Sequence, residues 1–281
     1  MRFTSRQRLD DAVLEREFVL GDIPGILWTP ESASVPASAP ASASASPSVS
    51  ASAPASASAP VSPWPPSASA SAPTPLILLS PPPLGLRRTY PRLVARARHS
   101  AAQGFATATI ELPGSGDRPR LPGAEQARAD LRRAMGAGEP VTDEIIDALI
   151  LPLVDQAVPE WQTALDALLS LPGIGGPVGY SGGVISVGTR LAVVEPRISA
   201  AVLFAGSFVP RTTLEEARRV TVPLHVLLQW DDEGNDRQAA LDLFDAFGSE
   251  EKTLHANMGG HTGVPQYAGD AAAQFFTRHL K

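Results

Sequence analysis

Ser181 stands between glycines in Gly179-Tyr180-Ser181-Gly182-Gly183, flanked by a short apolar run before it and a helical pattern after it. This is the G-x-S-x-G arrangement, in which a strand turns sharply into a helix and lifts a hydroxyl above the sheet. Small neighbours let the chain make the turn. The helix start behind the serine supplies free N–H groups and positive potential where a carbonyl oxygen would gain charge. Ser186, in Ile185-Ser186-Val187-Gly188, is a rival only if the helix begins five residues later, and it lacks the leading glycine.

A serine hydroxyl is a weak nucleophile at neutral pH and needs a base. Of the five histidines, His99 falls on an early helix, His225 and His255 within strands, and His279 in the last helical turn. His261 lies in Met258-Gly259-Gly260-His261-Thr262-Gly263, a loop directly after the last predicted strand. Loops at the carboxyl edge of a parallel sheet are where a base can reach such a serine. The carboxylate that orients the imidazole is expected after a late strand, and residues 222–230 run into Asp231-Asp232-Glu233. Asp232 is the first choice, with Asp231, Glu233 and Asp236 as alternatives. The same acidic cluster would also serve as the N-terminal charge of the helix beginning near Asp236.

The elements that must position these groups alternate. Residues 17–20, 24–28 and 76–79 read as strands, 90–103 as a helix and 105–110 as a strand. Residues 124–171 read as helices, the last over 158–171. Then come a strand at 177–179, a helix at 185–194, strands at 198–204 and 222–228, a helix at 236–247, a strand at 253–256 and a closing helix at 271–280. Strands linked by crossover helices imply an α/β fold, a mostly parallel doubly wound sheet covered on both faces. Active sites in such sheets lie at the carboxyl ends of the strands.

Residues 32–75 carry no charge and cycle through Ala, Ser and Pro. So little buried apolar area cannot offset the entropy of ordering them, so a disordered, partly polyproline-like insertion in a surface loop is expected, interrupting a single domain over 1–281. The basic cluster from Arg92 to Arg98 reads as the solvated face of a helix. A net charge of -6 argues against nucleic acid as a partner, and no run approaches the length of a membrane span. Without cysteine there is no thiolate nucleophile, disulfide or Cys-ligated metal. The N-terminal residues lack the apolar core of a signal peptide, and a soluble cytoplasmic protein is expected.

These residues resemble the α/β-hydrolase superfamily, and more closely its dienelactone-hydrolase-like group. The resemblance spans roughly residues 76–281. It is carried by Gly179 to Gly183, Glu195-Pro196-Arg197-Ile198, Gln229, Trp230, Asp232, Glu233 and Gly259-Gly260-His261, with a weaker echo in Pro24 to Pro30. Leu112-Pro113-Gly114-Ser115-Gly116-Asp117-Arg118 is similar to the family's L-P-G-H-G-D-R loop, with Ser115 in place of histidine. The resemblance implies a Ser181, Asp232, His261 triad and Gly182 N–H as one oxyanion donor. It further implies hydrolysis of a small carboxylic ester or lactone through an acyl-enzyme, with no cofactor or metal. A thioester or peptide is the alternative bond for the same triad.

One departure from the family concerns the second oxyanion donor. Where the family carries a His-Gly-Gly type loop, this chain reads Ser80-Pro81-Pro82-Pro83-Leu84-Gly85. Proline has no N–H to donate. Either Leu84 or Gly85 supplies the donor, or the hole is incomplete and the protein is a weakly active or non-catalytic binding protein. The helices of 124–171 are expected to line or cover the substrate entrance.

Overall fold

A computed structural model describes residues 1–9, 12–31, 72–206, 208–261 and 263–281. Its elements in chain order are β1 (Arg2–Phe3), β2 (Gln7–Leu9), β3 (Val13–Leu20), β4 (Ile23–Pro30), β5 (Thr74–Ser80), α1 (Leu86–Ala102), β6 (Ala106–Ile110), α2 (Ala124–Ala137), α3 (Asp143–Leu169), β7 (Ile174–Gly182), α4 (Ile185–Val194), β8 (Ile198–Phe204), α5 (Arg211–Ala217), β9 (Leu224–Gln229), α6 (Arg237–Ala246), β10 (Lys252–Asn257) and α7 (Gln266–Leu280). The sheet order is β1-β3-β4-β6-β5-β7-β8-β9-β10, with β2 paired to β3.

The six strands from β6 across to β10 run parallel, and the β3–β4 hairpin adds antiparallel to β6. Parallel strands are buried on both faces, which explains why β5 and β8 read as near-continuous apolar runs. One face carries α1 and α7, whose Leu93, Ala97 and Phe276 pack with Ile77, Leu79 and Val202. The other carries α3 to α6, where Trp161, Leu165, Leu191, Ala217 and Leu243 pack with Leu78, Tyr180 and Leu203. The N-terminal hairpin is tied to α1 through the buried Glu15 carboxylate, which accepts from Trp28 Nε1 at 2.6 Å and Tyr90 OH at 2.8 Å.

Residues 143–169 form one helix rather than several, and α3 packs into the core. Its buried positions Ile150, Leu153, Val154, Ala157, Val158, Trp161, Ala164, Leu165 and Leu168 keep an apolar stripe at helical spacing through Pro152 and Pro159. The strand expected at 177–179 is β7, which begins at Ile174 and runs on through Ser181 to Gly182. Its four glycines conceal it, because glycine carries no strand propensity and only neighbouring strands hold it extended.

Most of the expected insertion, residues 32–71, lies outside the described residues. Its expected end at 75 is corrected, since Thr74 and Pro75 already belong to β5. The segment leaves β4 and re-enters β5 at the amino edge of the parallel strands, as the pairs Trp28 with Thr107 and Leu76 with Ala106 require. With β6 alone between them, the two ends stand two strand spacings apart, roughly 10 Å. A five-residue linker can close that gap. Replacing 32–71 by such a linker is expected to leave the melting temperature within about 2 °C, because the Ala, Ser and Pro residues that dominate the segment carry little apolar side-chain area; a fall of more than about 8 °C in a calorimetric scan would show that the segment packs.

His225 makes the stability of the sheet depend on pH. It is buried on β9 with its Nδ1 3.0 Å from Thr253 Oγ1 and its ring 4.3 Å from that of His255. Burial, and secondarily the neighbouring His255, push its pKa down to about 4 from 6.5. The unfolded chain therefore binds the proton more readily, and the neutral ring's stabilisation is complete above pH 6.5 and lost as pH falls toward 4. Denaturant titrations across that window are expected to show a loss of about 3 kcal/mol beyond that of His225→Phe. Equal slopes for the two proteins would contradict it.

Candidate active site

Two of the three sequence-predicted side chains meet at the carboxyl rim of the sheet. Asp232 follows β9 in the turn Asp232-Glu233-Gly234-Asn235, and His261 follows β10 in the loop before α7. His261 Nδ1 lies 2.7 Å from Asp232 Oδ2. Since β9 and β10 pair in register from Leu224 with Lys252 to Gln229 with Asn257, the loops after them must emerge side by side. Gln229 Nε2 bonds Gly260 O at 3.2 Å, and the Gly263 N–H bonds the Gly260 carbonyl at 2.8 Å, which closes the histidine loop on itself.

The Asp232 side chain is 5% exposed whereas that of His261 is 78% exposed. Burial alone would raise the Asp232 pKa, but the bonds from His261, the Gly234 N–H and the Asn235 amide outweigh it and hold the carboxyl below its ordinary value. An ionised carboxylate only accepts, so Nδ1 carries the proton and Nε2 is the free acceptor. Asp231 and Glu233 point to solvent, and Asp236 caps α6 by accepting from Gln238 N and Ala239 N. The second role foreseen for the acidic cluster thus belongs to Asp236, a different residue from the one that holds His261. An open cleft of about 600 Å³ lies here, lined by Met135, Phe208, Asp232, Asn235, Gly260 and His261. Met135 is on α2, so the helix beside the entrance is α2 and not α3.

Ser181 is placed differently from its expectation. It sits inside β7, paired with Leu79 of β5 and Val202 of β8, and is 4% exposed. The turn into α4 is made after it by Gly182 (φ 93°), Gly183 (φ 70°) and Val184, the last being the residue that caps the helix. Both glycines occupy the left-handed region that a side chain disfavours. Alternation along the strand turns Ser181 to the same face as Gly179, where a β-carbon would meet Phe276 of α7. There its Oγ accepts from Arg96 Nη2 at 2.6 Å. Among the described residues no hydrogen bond joins Ser181 to His261. Ser186 is fully buried in the first turn of α4.

Arg96 was missed by sequence reasoning, which assigned the basic run of α1 to a solvated face. Arg92 is indeed exposed, but Arg96 is partly buried beside Leu93 and Ala97. Burial pushes its pKa down to about 10. The signal was its spacing: Arg96 stands three residues after Leu93, so the two are neighbours on the helix surface.

The loop after β5 keeps its departure. Leu84 N–H, one expected oxyanion donor, is directed to the Pro82 carbonyl at 2.7 Å, and its side chain is exposed. Gly85 (φ 91°) caps α1 instead, its carbonyl accepting from the Thr89 N–H and Oγ1. The carboxylate of Glu111 takes the Leu86 N–H at 3.0 Å, and Arg118 binds both the Glu111 carbonyl and, through two bonds of 2.7 and 2.6 Å, the Glu160 carboxylate. The 112–118 segment thus braces α1 against α3. Ser115 is buried within it.

No family model matches the chain, and neither does any curated protein. Solved structures do. A cold-adapted esterase from an Arctic intertidal metagenomic library superposes with a TM-score of 0.66 at 22% identity over 100% of both chains. An acetyl xylan esterase from Paenibacillus sp. R4 gives 0.62 at 14% identity, over 99% of this chain and 88% of that one. The dienelactone hydrolase from Anabaena variabilis gives 0.52 at 15%, over 99% of each. The chain has the α/β-hydrolase fold. Asp232 and His261 meet at the carboxyl rim, the edge at which open α/β sheets bind their ligands. Among the described residues no helix is long and apolar enough to cross a membrane, and no group of three or more His, Asp or Glu could hold a metal ion.

The dyad is directly testable. A low-field imidazole N–H signal from His261 is expected in low-temperature proton NMR of the wild type and lost in Asp232→Ala; its persistence there would mean that another group holds Nδ1.

Proposed function

We propose that this α/β-hydrolase-fold protein cleaves a small carboxylic ester or lactone. Ser181 attacks the carbonyl, His261 takes the proton at Nε2 and returns it to the leaving oxygen, and Asp232 stabilises the imidazolium. Water then releases the acyl group by the same path. The observation that carries this reading is the 2.7 Å bond between His261 Nδ1 and the buried Asp232, with the imidazole open to a cleft. The esterases and dienelactone hydrolases among the structural neighbours support the same bond class. For Ser181 to join the dyad, the exposed His261 loop must close over the end of β7.

A second reading, a non-catalytic binding protein on the same fold, is favoured by specific observations. Ser181 lies within the strand and is held by Arg96, and the residue at the strand-to-helix turn, Val184, has no hydroxyl.

A fluorophosphonate probe with peptide mapping separates the two. The hydrolase reading expects an adduct on Ser181 that vanishes in Ser181→Ala and falls at least tenfold in His261→Ala, together with turnover of short-chain esters. The binding reading expects an unlabelled wild type and a new adduct at position 184 in Val184→Ser.

A further inference from the structure

We infer that Arg96 is an oxyanion donor of this site, replacing the backbone N–H that the proline loop does not present; the inference rests on Ser181 being the nucleophile. Pro81, Pro82 and Pro83 have no N–H, and that of Leu84 is spent on the Pro82 carbonyl. Gly85 is drawn against Gly116, whose Cα lies 3.2 Å from where a Gly85 β-carbon would stand. Of the backbone donors that the sequence suggests, the Leu84 N–H is thus committed elsewhere, and Gly182 stands at the end of β7 beside the serine.

The guanidinium of Arg96 fills the deficit. Its Nη2 is 2.6 Å from Ser181 Oγ, and Nη1 and Nη2 lie 2.9 and 3.3 Å from the position of a β-carbon on Gly182. The charged fork therefore lies along the Ser181–Gly182 backbone, and a side chain at 182 would displace it. It makes no ion pair with a carboxylate among the described residues; Tyr180 lies close enough to interact with it, and the Phe204 ring is 5.8 Å away to the centroid. A partly buried cation with a single neutral acceptor has N–H groups to spare. In a low-dielectric setting such a donor favours a developing anion far more than a neutral carbonyl, as transition-state stabilisation requires.

The step balances without another reactant. Ser181 Oγ forms a bond to the carbonyl carbon, the π pair moves onto the carbonyl oxygen, and the hydroxyl proton passes to His261 Nε2. The new oxyanion is two bonds from Oγ, so the Arg96 N–H that bonds Oγ at rest can shift to it while Gly182 N–H donates from the other side. Return of the electron pair expels the alcohol, which takes the proton from His261.

Steady-state kinetics on a short-chain p-nitrophenyl ester, with labelling of Ser181 alongside, test this in Arg96→Met and Arg96→Lys. In Arg96→Met, kcat is expected to fall about 10²- to 10³-fold with KM within about twofold, and the lysine, which keeps a charged donor, to recover at least tenfold of the loss. Affinity for an arylboronate, which places an anionic tetrahedral adduct on the serine, is expected to fall with kcat. Should Arg96→Met not fold, Arg96→Gln, which removes the cation but keeps a polar side chain, carries the test, its boronate affinity expected to fall by about tenfold or more. Wild-type turnover with unchanged kcat or boronate affinity in the variants overturns the assignment to Arg96 and leaves the hydrolase reading standing. A wild type that neither turns over nor labels overturns both, the hydrolase reading first.

Discussion

The bond from His261 Nδ1 to the buried carboxylate of Asp232 is the constraint on which the functional reading depends. It sets the imidazole tautomer, because an ionised carboxylate cannot donate, so that in the neutral ring Nε2 is the acceptor. Two loops have to emerge at one rim for it to form. They do so because β9 and β10 are parallel and in register over six residues, and a parallel pair places both carboxyl ends on the same edge. Asp232 is held in turn by the Gly234 N–H and Asn235, so the acid is oriented before the base arrives.

The nucleophile side of the rim is built differently. Gly182 and Gly183 make the turn, and the strand that precedes them keeps Ser181 in two ladders and directs it toward α1. Arg96 meets it there. A partly buried guanidinium without a carboxylate is costly, and the short bond to Ser181 offsets part of that cost. The pairing couples the Arg96 cation to the hydroxyl that the chemistry would use. The proline loop reinforces the difference, since it takes away backbone donors at the place where the neighbouring helix offers a side-chain donor.

The helical layer opposite α1 explains why the rim stays open. α3 is consumed by the core through its stripe from Ile150 to Leu168, and is braced by Arg118 on Glu160. Only the shorter α2 reaches the cleft, through Met135. The 32–71 segment enters and leaves at the amino edge, so the longest excursion of the chain begins and ends on the side of the sheet away from the dyad.

Much of this was legible in the residues. Periodicity alone places α4 at 185–194 and β8 at 198–204, where the structure has them, because both are apolar segments bounded by glycine or proline. The pairing of His261 with Asp232 follows from a loop histidine and an acid after consecutive late strands. What the residues left open was direction. Whether Ser181 belongs to the turn or to the strand depends on hydrogen bonds from β5 and β8, which are distant in sequence, and whether Arg96 faces water depends on how α1 rolls against β7. Local spacing determines which groups stand near an edge; the packing of layers decides which way each side chain turns, since a strand presents opposite faces at successive residues and only tertiary contacts set which face a helix covers.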